Sequence, residues 1–200
     1  GIDVRSLVRA VVGLIFGSGN SGGASTITQQ LAKMLFTEKP STGLERVMQK
    51  FKEWIIAIRL EKQYTKDEIL TMYLNRFDWV NNAVGIKSAA QVYFNTIPSG
   101  LTIEQSAVLI GMLKNPALYN PNLRIRLTTE RRNIVLSQMK KYEFISDSLF
   151  DTLKSLPIVL DFKKASHNEG QATYLREYLR GNLKKWCSKH LKPDGSPYNL

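Results

Sequence analysis

Lys50-Phe51-Lys52-Glu53-Trp54-Ile55-Ile56-Ala57-Ile58-Arg59-Leu60-Glu61 is the stretch on which the reading of this chain turns. Phe51, Trp54, Ile55, Ile56, Ile58 and Leu60 spread apolar groups around much of a helical circumference, which predicts a largely buried helix. Against that background Lys50, Glu53, Ala57 and Glu61 recur at spacings of three, four and four, so they form one stripe. A carboxylate on a buried helix must be paired or must face a cleft, because burying it alone is costly. Two readings of Glu53 stay open at this point. It is either half of an intrahelical pair with Lys50 that solvates one edge, or an acid set in a functional cleft.

Outward from this helix, capping signals dominate. Thr26-Ile27-Thr28-Gln29, Thr65-Lys66-Asp67-Glu68 and Thr102-Ile103-Glu104-Gln105 each place a hydroxyl at an N-cap with Glu or Gln three positions on. The third opens an apolar stretch from Ala107 to Leu113 that stops at Asn115-Pro116. Thr128 or Thr129 is the candidate cap of a further helix through Ile134, Val135 and Met139. Loops are expected at Gly17 to Ala24 and at Glu38 to Gly43. Alternation of period two is confined to Ile158-Val159-Leu160-Asp161-Phe162, the one candidate strand. The fold class expected is mainly α, with one lobe over residues 1–156 and a different segment over 157–200.

Composition narrows the function. The 200 residues include 28 Lys plus Arg against 17 Asp plus Glu, a formal charge of +11, with 43% hydrophobic residues. That balance describes a globular chain with an anionic partner, be it nucleic acid, anionic lipid or a phosphate-bearing substrate, or else a solvated basic surface. One cysteine, Cys187, and two histidines, His167 and His190, argue against a disulfide scaffold and a cysteine- or histidine-based metal site. The apolar run Val11 to Phe16 is far shorter than the ~20 residues of a spanning helix. The start at Gly1 rather than Met suggests a piece of a longer chain, with any targeting or anchoring segment upstream. The basic residues Arg124, Arg126, Arg131, Arg132, Lys140 and Lys141 are scattered and match no nucleic-acid motif, so no nucleic-acid partner is expected.

Gly22-Gly23-Ala24-Ser25-Thr26-Ile27-Thr28-Gln29-Gln30-Leu31-Ala32-Lys33 is more specific. Glycines followed by hydroxyls and amides at a helix start present donors to an anion. The segment resembles the GGSTITQQ motif of the peptidoglycan glycosyltransferases, the polymerase module of bifunctional class A penicillin-binding proteins. Further stretches are similar to that family in its own order. Gln49 to Glu53 resembles RKxKE with Gln49 in place of Arg, and Thr65 to Asn75 resembles SKDEILExYLN. Gly85 to Phe94 is similar to GIxxAAQxYF, Ala107 to Pro121 to AxLAGxxxxPxxYNP, and Arg131-Arg132-Asn133 to the start of RRxxVLxxM. Two departures stand out. Only Gly1-Ile2-Asp3 remains of the first motif, so the family's catalytic glutamate is expected upstream. Asp78, Val80 and Val84 occupy positions where the family often has Tyr, Gly and Tyr.

The resemblance implies a lysozyme-like lobe over residues 1–156 and a linker over 157–200 leading to a transpeptidase domain. It implies polymerisation of lipid II, with the growing glycan passed from its undecaprenyl pyrophosphate to the 4-hydroxyl of the next GlcNAc. Glu53, Lys52 and Lys50 are the catalytic candidates. Ser25, Thr26, Gln29, Gln30, Lys33, Arg46, Asn75 and Asn120 are the substrate-binding candidates, although Asn75 and Asn120 equally suit capped turns. Lys50 and Lys52 lie about 200° apart on a helix, so they cannot reach one phosphate from the same face. No protein-bound metal is expected, and a magnesium or manganese ion at the donor pyrophosphate is the one cofactor allowed. Partners are lipid II, the growing glycan strand, the membrane surface, reached through Val11 to Phe16, and other cell-wall synthesis proteins. The place of work is the outer, periplasmic face of the bacterial cytoplasmic membrane. Two rivals remain: a lysozyme-like hydrolase, and a non-catalytic fragment that only binds lipid II.

Overall fold

The computed structural model describes residues 25–36, 42–163 and 173–190, together with 192, 195, 196 and 198. Val11 to Phe16, Gly17 to Ala24 and residues 37–41 lie outside the described residues. Eight helices make up the described chain, which is mainly α: α1 Ile27–Phe36, α2 Gly43–Gln63, α3 Lys66–Arg76, α4 Ile86–Phe94, α5 Ile103–Met112, α6 Ile125–Lys141, α7 Asp147–Ser155 and α8 Thr173–Lys189. A 3-10 turn, Pro98–Gly100, joins α4 to α5. Among the described residues there is no strand, only an isolated antiparallel bridge between Asp78 and Val84. The chain divides into two compact units, Gly1–Lys163 and Lys164–Leu200.

The three expected capping boxes form. Thr26 and Gln29 exchange backbone and side-chain bonds at the start of α1, and Thr65–Glu68 and Thr102–Gln105 do so on α3 and α5. A fourth, Thr42–Glu45, opens α2. The cap expected at Thr128 or Thr129 does not form. Helix α6 starts earlier, at Ile125, and both hydroxyls donate back to carbonyls one turn before them, those of Arg124 and Ile125.

Among the described residues of the first unit, two apolar clusters tie the helices together. Leu31, Ala32, Leu60, Ile69 and Tyr73 bind α1, α2 and α3 together, with Met34, Ile56 and Met72 packed against them. Ala107, Leu136, Ile145 and Leu153 join α5, α6 and α7. Gly111 lets α5 and α6 approach, since a Cβ there would stand 3.1 Å from Arg131 Cγ. Helix α2 is not buried all round, contrary to its sequence pattern. Phe51, Ile55 and Ile58 are 50%, 54% and 43% exposed, while Glu53, Ala57 and Leu60 are buried. Helices α1 and α3 both pack on the polar stripe's side, where small Ala57 allows close approach, and among the described residues the opposite side has no cover.

Residues 156–163 form neither helix nor the expected strand. Buried Arg132 donates to the Leu156 and Lys154 carbonyls at 2.7 and 3.1 Å and to Asn133. Asn95 donates to Asp161 at 2.8 Å, the Lys163 N–H to the Val92 carbonyl at 2.8 Å, and Phe162 lies against Tyr93. Arg132 thus ties this strap to α6, while Arg131 Nε donates to the Gly111 carbonyl of α5 at 3.4 Å.

Between α3 and α4 the chain reverses through Val80, Asn81 and Asn82, whose φ values are 57°, 53° and 63°. Asparagines tolerate this left-handed region, whereas a β-branched valine does not. Gly85, at φ 84°, has no room for a side chain, because a Cβ would sit 2.8 Å from the Asn75 carbonyl oxygen. Two opposite outcomes are expected in urea unfolding with unchanged slope. Val80→Gly should stabilise by about 1 kcal/mol through relief of strain. Gly85→Ala should destabilise by about 1–3 kcal/mol.

Candidate functional site

The buried stripe of α2 is the centre of the candidate site. Glu53 is 1% exposed, and both of its oxygens have donors from its own helix. Gln49 Nε2 donates to Oε1 at 3.1 Å, and Lys50 Nζ donates to Oε2 at 2.5 Å. Residues three and four positions away lie on the same helix face, which is why this local spacing suffices. Lys50 is partly exposed, so the pair has a buried acid at its base and a cation at its rim. Truncating either donor leaves a buried carboxylate short of a partner, the expensive case. Lys52 points elsewhere and is exposed.

Two turns along the same stripe, Glu61 accepts from the Thr28 hydroxyl of α1 and from Lys66 at the start of α3. These contacts seat α1 against α2 and thereby set the amide-rich helix start near the stripe. Lys66 foremost, and the Thr28 hydroxyl after it among the described residues, hold the Glu61 carboxyl below the ordinary carboxylate range. At the head of α1, Thr26 and Gln29 are engaged with one another as a cap. Gln30 is held twice: its Nε2 donates to the Ser25 carbonyl at 3.3 Å and its Oε1 accepts from the Tyr73 hydroxyl at 3.1 Å. Burial raises the Tyr73 pKa, so its hydroxyl stays a donor at neutral pH.

The remaining candidates fall in different places. Lys33 lies exposed on the outer side of α1. Arg46 belongs to the N-terminal part of α2, and its side chain lies outside what is described. Asn75 is exposed near the end of α3. Asn120 is buried, its Oδ1 accepts from the Asn122 N–H at 3.0 Å and its carbonyl from Leu123 and Arg124, a turn-forming arrangement. Thus Glu53, Lys50 and Gln49 form one bonded group, and Ser25, Gln30 and Tyr73 another. Sequence reasoning noted Gln49 only as a departure and passed over Tyr73, Thr28 and Lys66. The signal for Gln49 was available, since it precedes Glu53 by one helical turn. Tyr73 and Thr28 act across 43 and 33 residues of chain and left no local trace.

A cavity of about 310 Å³, lined by Phe94, Glu104, Val108, Arg132, Pro157 and Ile158 among others, does not include Glu53. Among the described residues no three of His, Cys, Asp and Glu converge on a metal position. The oxygens of Glu53 already accept from an amide and an ammonium, so these residues do not by themselves fit a magnesium or manganese ion.

Comparison with known proteins adds independent evidence. The transglycosylase family model matches residues 1–140. Penicillin-binding protein 1A of Escherichia coli is 36% identical over 195 residues, covering 98% of this chain and 22% of that protein. Penicillin-binding protein 1F of Bacillus subtilis is 39% identical over 175 residues, covering 88% of this chain and 24% of that protein. The chain thus spans about a quarter or less of the length of these relatives. A crystal structure of penicillin-binding protein 1A from Haemophilus influenzae is 23% identical, with a TM-score of 0.46, over 80% of this chain and 20% of that one.

The Glu61 contacts predict an acid-sensitive seat for α1. A carboxyl held below its ordinary 4.5 in the folded chain contributes its full stabilisation above about pH 4.5 and loses it as pH falls through its lowered folded value. Urea midpoints recorded as pH falls below about 4.5 should decline for the native chain. Glu61→Gln should start lower and flatten the slope, and an unchanged slope would refute the assignment.

Proposed function

Because the chain belongs to the transglycosylase family, we propose that it carries the donor-side machinery of a peptidoglycan glycosyltransferase acting on lipid II. In this reaction the acceptor GlcNAc O4 forms a bond to the anomeric carbon of the donor MurNAc. The bond from that carbon to the undecaprenyl pyrophosphate breaks, the pyrophosphate leaves with the electron pair, and the hydroxyl proton passes to a base. The chemistry therefore needs a base on the acceptor side and positive charge with fixed hydrogen bonds on the departing side.

The observation that carries the reading is Glu53, a buried carboxylate held on both oxygens by Gln49 and Lys50. A pre-oriented acid beside a rim cation suits the donor centre, where charge develops as the pyrophosphate leaves. Lys50 and, from other directions, Lys52 and Lys33 would neutralise the phosphates. Gln30, fixed by Tyr73 and Ser25, would offer its neighbourhood of hydroxyls and amides to sugar or phosphate, with Ser25, Thr26 and Gln29 beside it. Arg46 and Asn75 complete the proposed contacts, and Asn120 would act through its turn. The acceptor base is assigned to a glutamate N-terminal to Gly1. Any magnesium or manganese ion would arrive as a companion of the pyrophosphate, and no step here depends on it.

The setting proposed is the outer face of the bacterial cytoplasmic membrane, where the lipid-linked substrate resides. No described helix is long and apolar enough to cross a membrane. Lipid II, the growing strand and other cell-wall synthesis proteins are the proposed partners.

Polymerisation of labelled lipid II tests the reading, using a chain extended N-terminally through the glutamate motif, its Glu53→Gln variant and the 200-residue chain. Glycan strands from the extended chain, with a loss of about 10²–10⁴-fold in the variant, are expected. Lipid II binding without strands from the folded, extended protein would leave the non-catalytic reading. Release of reducing sugars from finished peptidoglycan would instead identify a hydrolase.

A further inference from the structure

Helix α8, in the second compact unit, has a face that nothing described covers. Leu175, Leu179, Leu183 and Trp186 recur at spacings of four, four and three, and all four are about half exposed. At 100° per residue they fall within an arc of about 80°. The same helix carries Arg176, Arg180, Lys184, Lys185 and Lys189 against a single acid, Glu177. By register Arg180 lies beyond one edge of the apolar arc and Lys189 and Lys185 beyond the other, while Lys184 falls towards the far side. Gly181 lies on the far side, where an added Cβ would meet open space. At the C-terminal end Trp186 stacks on His190, 4.3 Å between ring centres, with Tyr198 beside it.

A narrow apolar strip edged on both sides by long cationic side chains is the arrangement of a helix lying in a membrane interface. The strip enters the acyl boundary while lysine and arginine stems extend to the headgroups. An indole at one end suits the headgroup level. A groove on a protein partner would call for charges of both signs along the edges, whereas here the edges are basic and the complement is a uniformly anionic plane. We infer that α8 is an interfacial helix that lays its Leu175–Leu179–Leu183–Trp186 face on an anionic lipid surface. This does not rest on the catalytic reading, and vesicles free of lipid II test it separately.

Cys187 is the single cysteine of the chain and lies on α8, so an environment-sensitive fluorophore there reports this helix alone. The 200-residue chain is mixed with vesicles of phosphatidylcholine, or of an equimolar mixture with phosphatidylglycerol, and binding is read by co-sedimentation and probe emission. Binding to the anionic vesicles at least about tenfold tighter, weakened by salt and accompanied by a blue shift, is expected. Leu179→Gln with Leu183→Gln retains helix-forming residues and should abolish the blue shift. Lys185→Glu with Lys189→Glu, both beyond one edge of the strip, should remove the preference for anionic vesicles. Gly181→Ala, on the far side, should leave binding intact or strengthen it. Equal affinity for both vesicles, or no blue shift on any vesicle, would overturn the inference. So would a blue shift with polyglutamate and none with lipid, which would assign the face to an acidic protein partner.

Discussion

A carboxylate taken out of water must find donors, and helix α2 is placed by that requirement. Its inner stripe carries Glu53 and Glu61 with Ala57 between them. Glu53 is satisfied by Gln49 and Lys50 of the same helix, Glu61 by Thr28 of α1 and Lys66 of α3. Leu60 lies beside this stripe and meets Leu31, Ala32, Ile69 and Tyr73. Rotating α2 to bury the exposed halves of Phe51, Ile55 and Ile58 would gain about 1 kcal/mol per side chain. It would also remove Leu60 from its cluster, strip Glu61 of Thr28 and Lys66, and pull α1 away from its seat. The observed orientation keeps both acids paired and the three helices packed, at the cost of an exposed apolar flank.

The same requirement divides the site into a half held within one helix and a half held between helices. Glu53 is fixed by bonds internal to one helix turn, so its position needs no help from a neighbouring element. The amide cluster at the head of α1 depends on tertiary contacts: Tyr73 for Gln30 and the Glu61–Thr28 bond for the helix itself. The positively charged groups around them, Lys33 and Lys52, sit exposed.

What was legible in the sequence was local. Hydroxyl-x-x-Glu/Gln boxes involve four residues, and those at Thr26, Thr65 and Thr102 form as read. The Lys50–Glu53 relation is one helical turn and was equally visible. The buried face of α2 was not, because apolar residues surround the helix and periodicity has no preferred direction there. Only the locations of α1 and α3 break the tie. Helix α6 was started too late for a similar reason. Thr128 and Thr129 resemble caps, yet their hydroxyls bond backwards inside a helix that already begins at Ile125. Gln30–Tyr73 and Thr28–Glu61 span long stretches of chain, and nothing in either short motif names its partner.

The strained turn at Val80 shows how such contacts sustain one another. A valine at φ 57° persists only where its surroundings leave it no alternative. Trp79, immediately before it, is fully buried and donates its indole N–H to the Leu109 carbonyl at 3.1 Å. The Tyr93 hydroxyl donates to the Trp79 carbonyl at 2.7 Å and accepts from Asn81, and burial pushes the Tyr93 pKa up to about 12. Trp79 in turn packs on Phe77, Phe77 on Tyr73, and Tyr73 holds Gln30. Phe162 of the strap closes the other end against Tyr93. A continuous series of ring contacts and hydrogen bonds therefore runs from the strap, through the strained turn, to the amide cluster of the candidate site. The valine's unfavourable backbone is the local cost of placing Trp79 where this series needs it.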